Sequence, residues 1–214
     1  IIIMQLRSIA RELALLALSQ FPEKDLKSIE SSNIDILLNK ALEGLMENWR
    51  EDLESCANEL EKADQFLLDS ELQESEKLST LKVREHLKKS LSKAESVLNT
   101  LSSSLDLPRL LALSDQKEVR TIAIQQIKLV LQKRPNIDDR LDSVMEGWRL
   151  KRLPRIDRDI LRLAVVDLID FQTPAPVTFN EAVNLANRYS DEQGRRMING
   201  VLRRLQDSYN NGVE

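Results

Sequence analysis

The chain has 214 residues, of which 42% are hydrophobic, 31% charged and only 4% aromatic, with 5 Gly and 6 Pro. This balance favours an all-α protein over one built from sheets, and the length allows one core plus an extension. A single cysteine excludes an intrachain disulfide, and the chain shows neither a signal peptide nor an apolar run near the roughly 18 residues of a membrane span, so we predict a cytoplasmic protein with no membrane contact.

The first predicted element is a helix within residues 4–21. Three isoleucines, Ile1–Ile3, precede Met4, which we interpret as the natural start of the protein. Arg7 and Arg11 are four residues apart and therefore share one face of this helix, where they can straddle successive phosphates of a nucleic acid. The alternative for each arginine is an ion pair with a neighbouring carboxylate on a solvated surface.

Residues 22–107 are predicted to form an acidic antiparallel helical hairpin. Between Pro22 and Pro108 there is no proline and only one glycine, Gly44, so long helices meet few interruptions. Two apolar series with a seven-residue repeat predict a narrow seam, and Asp69–Ser79 is the expected hinge. The hairpin is either a docking arm for another protein or a passive extension of the bundle, and its charged composition slightly favours the passive extension. The two series are Leu38, Leu42, Leu45, Trp49, Leu53, Cys56, Leu60, Ala63 and Leu67, and Leu87, Leu91, Ala94, Leu98, Leu101 and Leu105.

Charge is divided unevenly along the chain. Residues 1–107 carry 13 Lys+Arg against 20 Asp+Glu, whereas residues 108–214 carry 18 against 15. The net charge of −4 therefore does not exclude nucleic-acid binding, because phosphate affinity depends on clustered cations. The densest cluster runs through a turn at Pro154 into a helix on which Arg158 and Arg162 share a face. We expect this cluster and the arginines of the first helix to form one exposed surface. The cluster consists of Arg149, Lys151, Arg152, Arg155, Arg158 and Arg162.

Three consecutive helices are predicted within residues 155–205. The first must end before Pro174. Capping-box spacings place the start of the second helix at Thr178 and the start of the third at Ser190. Gly200 lies inside the third helix, where glycine costs roughly 1 kcal/mol relative to alanine. It indicates either the close approach of another backbone or a tolerated weak spot.

Three motifs in this region resemble the NusB family of bacterial transcription antitermination factors. They are D-R-D-I-L-R-L-A from Asp157, P-V-T-F-N-E-A-V-N-L-A from Pro176 and R-R-M-I-N-G-V-L from Arg195. The segment I-A-R-E-L-A-L-L-A-L from Ile9 is similar to the family's first helix. The resemblance covers the two ends of the chain and leaves the predicted hairpin unmatched.

The resemblance implies both a function and partners. Members of the family bind boxA, a single-stranded RNA element of ribosomal RNA transcripts, together with the ribosomal protein NusE, and so act on the elongating RNA polymerase. By the same resemblance, Asp157 and Met197 are predicted to face the protein partner. Tyr189 is the best candidate for stacking on an RNA base and a further candidate for the partner surface, with packing at the end of an apolar stripe as the favoured alternative. The predicted RNA-binding residues are Arg7, Arg11, Lys151, Arg152, Arg155, Arg158 and Arg162.

The predicted organisation is a compact bundle of about seven helices, formed by residues 4–21 and 108–206, with the inserted hairpin and a flexible tail at 207–214. No enzyme activity, cofactor or metal site is predicted, because His86 and Cys56 have no third residue at suitable spacing. Two alternatives stay open: a helical scaffold that binds only proteins through the hairpin, and a stand-alone targeting domain related to ribosomal RNA methyltransferases. The sequence also leaves open whether the chain forms a homodimer.

Overall fold

The computed structural model describes residues 2–21, 31–74, 80–104 and 107–211. These residues form eight α-helices and one short 3-10 helix, with no strand among them, which confirms the all-α prediction. None of the described helices is both long and apolar enough to cross a bilayer. The helices are α1 (Ile2–Gln20), α2 (Ser31–Glu74), α3 (Thr80–Ser104), α4 (Leu107–Ser114), α5 (Lys117–Val144), the 3-10 helix (Leu150–Arg152), α6 (Arg155–Ile169), α7 (Ala175–Tyr189) and α8 (Glu192–Asn211).

The chain divides into two compact units. One comprises residues 1–42 and 111–214, and the other comprises residues 43–110. The start of α2 belongs to the first unit, where Ile34 and Leu38 are fully buried. The second unit therefore begins later in the chain than the predicted start of the hairpin.

Helix α6 is the centre of the first unit, since it packs against α1, α5, α7 and α8. From Asp157 to Leu168 every residue of α6 except Arg158 is buried. A helix covered on all sides has no solvent face, so its charged residues must find partners within the fold. Fully buried large side chains of this unit are Leu13, Leu15, Ile34, Leu38, Ile127, Leu141, Leu150, Ile160, Leu161, Leu163, Ile198 and Leu202.

Helix α7 begins at Ala175, before the predicted cap Thr178. Pro174 is the N-cap, and Pro176 lies in the first turn, where a missing N–H leaves no hydrogen bond unmade. Thr178 is buried inside the helix, and its hydroxyl donates to the carbonyl of Thr173 at 3.5 Å. The predicted capping box is therefore wrong, because the prolines themselves start the helix.

Helix α8 is capped by Asp191 and not by Ser190 as predicted. The Oδ1 atom of Asp191 accepts a hydrogen bond from the backbone N–H of Gly194 at 2.7 Å. Both residue types are good N-caps, so the error is one of position. At its other end α8 continues to Asn211. The predicted flexible tail from residue 207 is therefore helical as far as that residue, and the rest of the tail lies outside the described residues.

Gly200 does not mark a close approach of two backbones. A Cβ atom at this position would meet only the guanidinium of Arg204, at 3.8 Å, which is ordinary van der Waals contact. The alternative interpretation, a tolerated weak spot in α8, fits the structure.

The second unit is an antiparallel pair formed by α2 and α3. Lys93 pairs with Glu59, and the ammonium of Lys89 lies 5.8 Å from the ring centre of Phe66. Residue numbers fall along α3 as they rise along α2, which is the direction predicted for a hairpin. The predicted hinge from residue 69 is helical as far as the end of α2, and residues 75–79 lie outside the described residues.

The seam of this pair is not made of the predicted leucines. Leu91 and Leu98 are 71% and 67% exposed, so their assignment to the seam is wrong. Smaller side chains occupy it, and Cys56 is a buried free thiol, as expected for a packing residue. The side chain of His86 lies outside the described residues. Buried seam residues are Cys56, Ala63, Ser90 and Val97.

Candidate functional site

Arg11 is a core residue of the first unit. It is 4% exposed, its Nε donates to Asp167, and its Nη1 donates to Glu181 at 3.0 Å. Gln126 donates to the other oxygen of Asp167 at 2.8 Å, so α1, α5, α6 and α7 meet in one polar network. The prediction that Arg11 contacts phosphate beside Arg7 is wrong, because its guanidinium is used inside the fold. Arg7 itself is exposed.

Arg162 is likewise withdrawn from solvent. Its Nε and Nη2 donate to both carboxylate oxygens of Asp138 at 2.7 and 2.8 Å, and its Nη1 donates to Asp159 at 2.8 Å. Burial opposes the charged form, but the hydrogen bonds and charges of Asp138 and Asp159 raise the pKa of Arg162 above its usual value. The prediction that Arg162 shares an RNA-binding face with Arg158 is therefore wrong.

Arg155 joins the start of α6 to the end of α1. Its Nη2 donates to the backbone carbonyls of Leu18 and Phe21, at and just beyond the end of α1. Its Nε lies 3.6 Å from Asp159. This guanidinium is directed at the fold, which removes Arg155 from the predicted RNA surface. Arg158 is half-buried, and its phosphate contact stays a prediction.

The exposed cations of the predicted basic cluster lie in residues 148–152, which we call the Trp148 segment. Gly147, with a φ of +71°, turns the chain after α5, and the backbone N–H of Leu150 donates to Asp142 at 2.7 Å. Leu150 is buried, so the segment is anchored, whereas Trp148 is 44% exposed. An indole among cations can stack on a base while the cations contact phosphates. The exposed cations of the segment are Arg149, Lys151 and Arg152.

Tyr189 holds the end of α7 against α1. Its hydroxyl donates to Glu12 at 2.7 Å, and Arg188 donates to the same carboxylate at 2.7 Å. Burial and the neighbouring charge of Glu12 raise the pKa of the Tyr189 hydroxyl. These contacts favour the packing role over a role in partner binding.

A cavity of about 210 Å³ opens between the Trp148 segment and the starts of α6 and α8. Asp157 lines it and is 1% exposed. Burial raises the pKa of Asp157, the hydrogen bond from the Ser190 hydroxyl opposes that shift, and the charge of Asp191 adds to it. Among the described residues, no hydrogen-bond donor reaches its Oδ1. The carboxyl group in the cavity wall thus has one buried oxygen that no donor of the described residues satisfies.

Gly194 allows α8 to begin beside this carboxyl group. A Cβ atom at Gly194 would lie 2.6 Å from the Oδ2 of Asp157 and would also overlap the hydroxyl of Ser190. Any larger residue would therefore have to displace the side chains of Asp157 and Ser190 or the start of α8. Sequence reasoning missed Gly194 and singled out Gly200 instead.

Met197 and Trp148 supply apolar walls of the same cavity, and Arg152 supplies a cation at its edge. Met197 is half-buried. The predicted partner residues Asp157 and Met197 are thus brought together, next to the exposed cations. A group of a protein partner in this cavity would contact Met197, Trp148 and Arg152 together, so protein and RNA contacts would adjoin at the Trp148 segment.

The sequence is similar to known proteins along nearly its whole length. The model of the NusB family matches residues 82–207. A protein of Synechocystis sp. named "Transcription antitermination protein NusB" is 41% identical over 211 residues, which are 98% of this chain and 94% of the relative. Relatives of the same name from Synechococcus elongatus and Gloeothece citriformis are 44% and 40% identical, each covering 94% of this chain and 93% of the relative. These matches include the hairpin.

Proposed function

The chain belongs to the NusB family, and we propose from this premise that it is a transcription antitermination factor acting in the cytoplasm on nascent ribosomal RNA. It binds a boxA-like single-stranded segment together with a ribosomal protein, NusE, and so reaches the RNA polymerase elongation complex indirectly. The observation that carries this proposal is the anchored Trp148 segment beside the Asp157 cavity.

RNA contact is assigned to exposed groups only. Arg149, Lys151 and Arg152 contact phosphates, and Trp148 stacks on an unpaired base. Arg7 adds a further exposed cation on α1. Contacts to the phosphates of the RNA supply affinity, and stacking on an aromatic ring adds to it with little dependence on which base is bound.

Partner contact is assigned to the cavity. A group of the ribosomal protein enters the cavity beside Asp157, and Met197 provides an adaptable apolar contact. Apolar groups that fill such a cavity add affinity, and its polar and charged lining residues orient the partner. The partner would thereby lie next to the Trp148 segment and extend the RNA surface.

The names of the matched relatives favour antitermination over a methyltransferase-targeting domain. A scaffold that binds only proteins is tested by measuring the binding of boxA-type RNA to the full chain with and without the ribosomal protein. We expect weak binding by the chain alone and tighter binding by the pair. If neither preparation retains RNA, while the two proteins still bind each other, antitermination through direct RNA contact is contradicted and the scaffold is favoured.

A further inference from the structure

The second unit exposes an unusual amount of apolar surface. Nine of the twelve exposed large apolar side chains in the described part of the chain belong to it. Isolated exposed leucines are normal, but a contiguous apolar patch on a soluble domain marks an interaction surface. The nine are Met46, Leu53, Leu60, Leu67, Leu68, Leu87, Leu91, Leu98 and Leu101.

On each helix the exposed side chains occupy one arc beside the seam. Successive residues of a helix are separated by about 100°. On α2, Leu53 and Leu60 lie on one side of the buried Cys56, and Glu59 lies on the other. On α3, Leu91 and Leu98 lie on one side of the buried Val97, and Lys93 lies on the other.

The two arcs face the same way. Glu59 and Lys93 form an ion pair with each other, so the sides of the helices that carry them are one face of the hairpin. Phe66 and Lys89 meet on that same face. The leucine arcs therefore share the opposite face, which we call the leucine face.

The two helices also differ in charge. Residues 43–74 of α2 contain 11 Asp+Glu and 2 Lys+Arg, whereas α3 contains 2 Asp+Glu and 5 Lys+Arg. A surface made of one acidic and one basic helix is complementary to itself under a two-fold rotation that lays α2 of one copy over α3 of the other. An unrelated partner would need its own matching pair of charges.

We propose that the leucine face is a dimerisation surface whose occupant is a second copy of this chain. Two hairpins stack through their leucine faces into a four-helix bundle, in which leucines fill the core and the acidic helix of each copy flanks the basic helix of the other. This assigns the hairpin an active role, in place of the passive extension that its composition favoured. The proposal concerns the hairpin alone and is independent of RNA binding.

Sedimentation equilibrium of the full chain without RNA, over a range of concentrations, tests the proposal. We expect a reversible dimer. The double variant Leu91→Glu, Leu98→Glu places charge on the leucine face at two largely exposed positions, so the hairpin still folds. It should raise the dimer dissociation constant roughly tenfold or more, since each substitution counts twice in a symmetric interface.

The matched control is Ser92→Glu, Ser96→Glu, which adds the same charge to exposed positions on the other side of α3. It should dimerise like the wild-type chain, and circular dichroism should show equal helix content in both variants. A wild-type chain that stays monomeric overturns the proposal. So does a dimer that the leucine-face variant leaves intact, or one that both variants weaken equally.

Discussion

The Oδ2 atom of Asp157 lies 2.6 Å from the position that a Cβ atom would occupy at Gly194. This spacing explains why α8 can begin directly against the buried start of α6. It also keeps the carboxyl group at the wall of the cavity to which we assign the ribosomal partner. The fit of a glycine and a carboxylate therefore determines both local packing and the shape of the site.

Replacing Gly194 with alanine should destabilise the protein by about 1–3 kcal/mol, the usual cost of inserting a methyl group into a packed site. The added carbon overlaps the hydroxyl of Ser190 and the carboxylate of Asp157, so these two short side chains must leave their present positions and contacts. Urea denaturation followed by circular dichroism measures the change. Unchanged stability would mean that the start of α8 is not held against Asp157.

Replacing Gly200 with alanine should change the stability of the protein in the opposite direction. The added carbon meets only the mobile end of Arg204, and alanine favours the helix over glycine, so we expect stabilisation by about 0.4–1 kcal/mol. Urea denaturation measures this change, and the Gly194→Ala variant provides the comparison. A loss of stability here would reveal a close contact at Gly200 and restore the interpretation that the structure corrected.

The stability of the wild-type chain should depend on pH through Asp157. Its pKa in the folded protein is raised above the ordinary value of 3.8, so the folded chain binds this proton more tightly than the unfolded chain does. As pH rises from the ordinary value through the raised value, the wild-type chain should lose stability relative to Asp157→Asn, which has no such proton.

Urea midpoints of the two proteins across this pH range measure that difference. A difference independent of pH would show that the carboxyl group has an ordinary pKa. A wild-type chain that gained relative stability as pH rose would show that the carboxylate is paired within the fold.

Substitutions of Arg11 and Arg7 should differ in their effect on the stability of the fold. Arg11→Met leaves Asp167 buried without its cation and should cost roughly 3–5 kcal/mol. Arg7→Met changes an exposed residue and should stay within about 0.5 kcal/mol. Thermal or urea unfolding of both variants checks this pair. Equal stabilities would place Arg11 at the surface, as its sequence pattern first indicated.

The helices could be predicted from the sequence because the signals that mark a helix are local. The apolar periodicity of α6 and the prolines after it identify one helix and its end without reference to the rest of the fold. The same locality explains the errors at the caps. Ser190 and Asp191 are both good N-cap residues, and only the packing of Gly194 on Asp157 decides between them.

The exposure of the arginines could not be predicted from local pattern. Arg7 and Arg11 are four residues apart on one helix, and Arg158 and Arg162 are four residues apart on another. In each pair the first arginine is the more exposed one, and the spacing does not show this. Their burial follows from the position of α6, which four other helices cover, and that is a property of the whole unit.

The error in the predicted seam of the hairpin has a similar explanation. Two adjacent stripes on each helix carry uncharged side chains, and only the partner helix determines which stripe is buried. On α2 the predicted positions Cys56 and Ala63 are buried, whereas on α3 Ser90 and Val97 are buried and the predicted Leu91 and Leu98 are exposed.

The assignment of RNA binding to the Trp148 segment rests on its exposed cations, so the salt dependence of RNA affinity provides its decisive measurement. The affinity of boxA-type RNA for the chain with its ribosomal partner is measured against salt for the wild type, Lys151→Gln and Lys117→Gln. Lys151 is exposed and does not line the cavity, and Lys117 is an exposed cation at the opposite end of α5. We predict that Lys151→Gln weakens binding and reduces the logarithmic salt slope by about 0.7, one single-strand phosphate contact, while Lys117→Gln leaves the slope unchanged. Equal slopes for all three proteins, or an equal loss in both variants, would contradict the assignment.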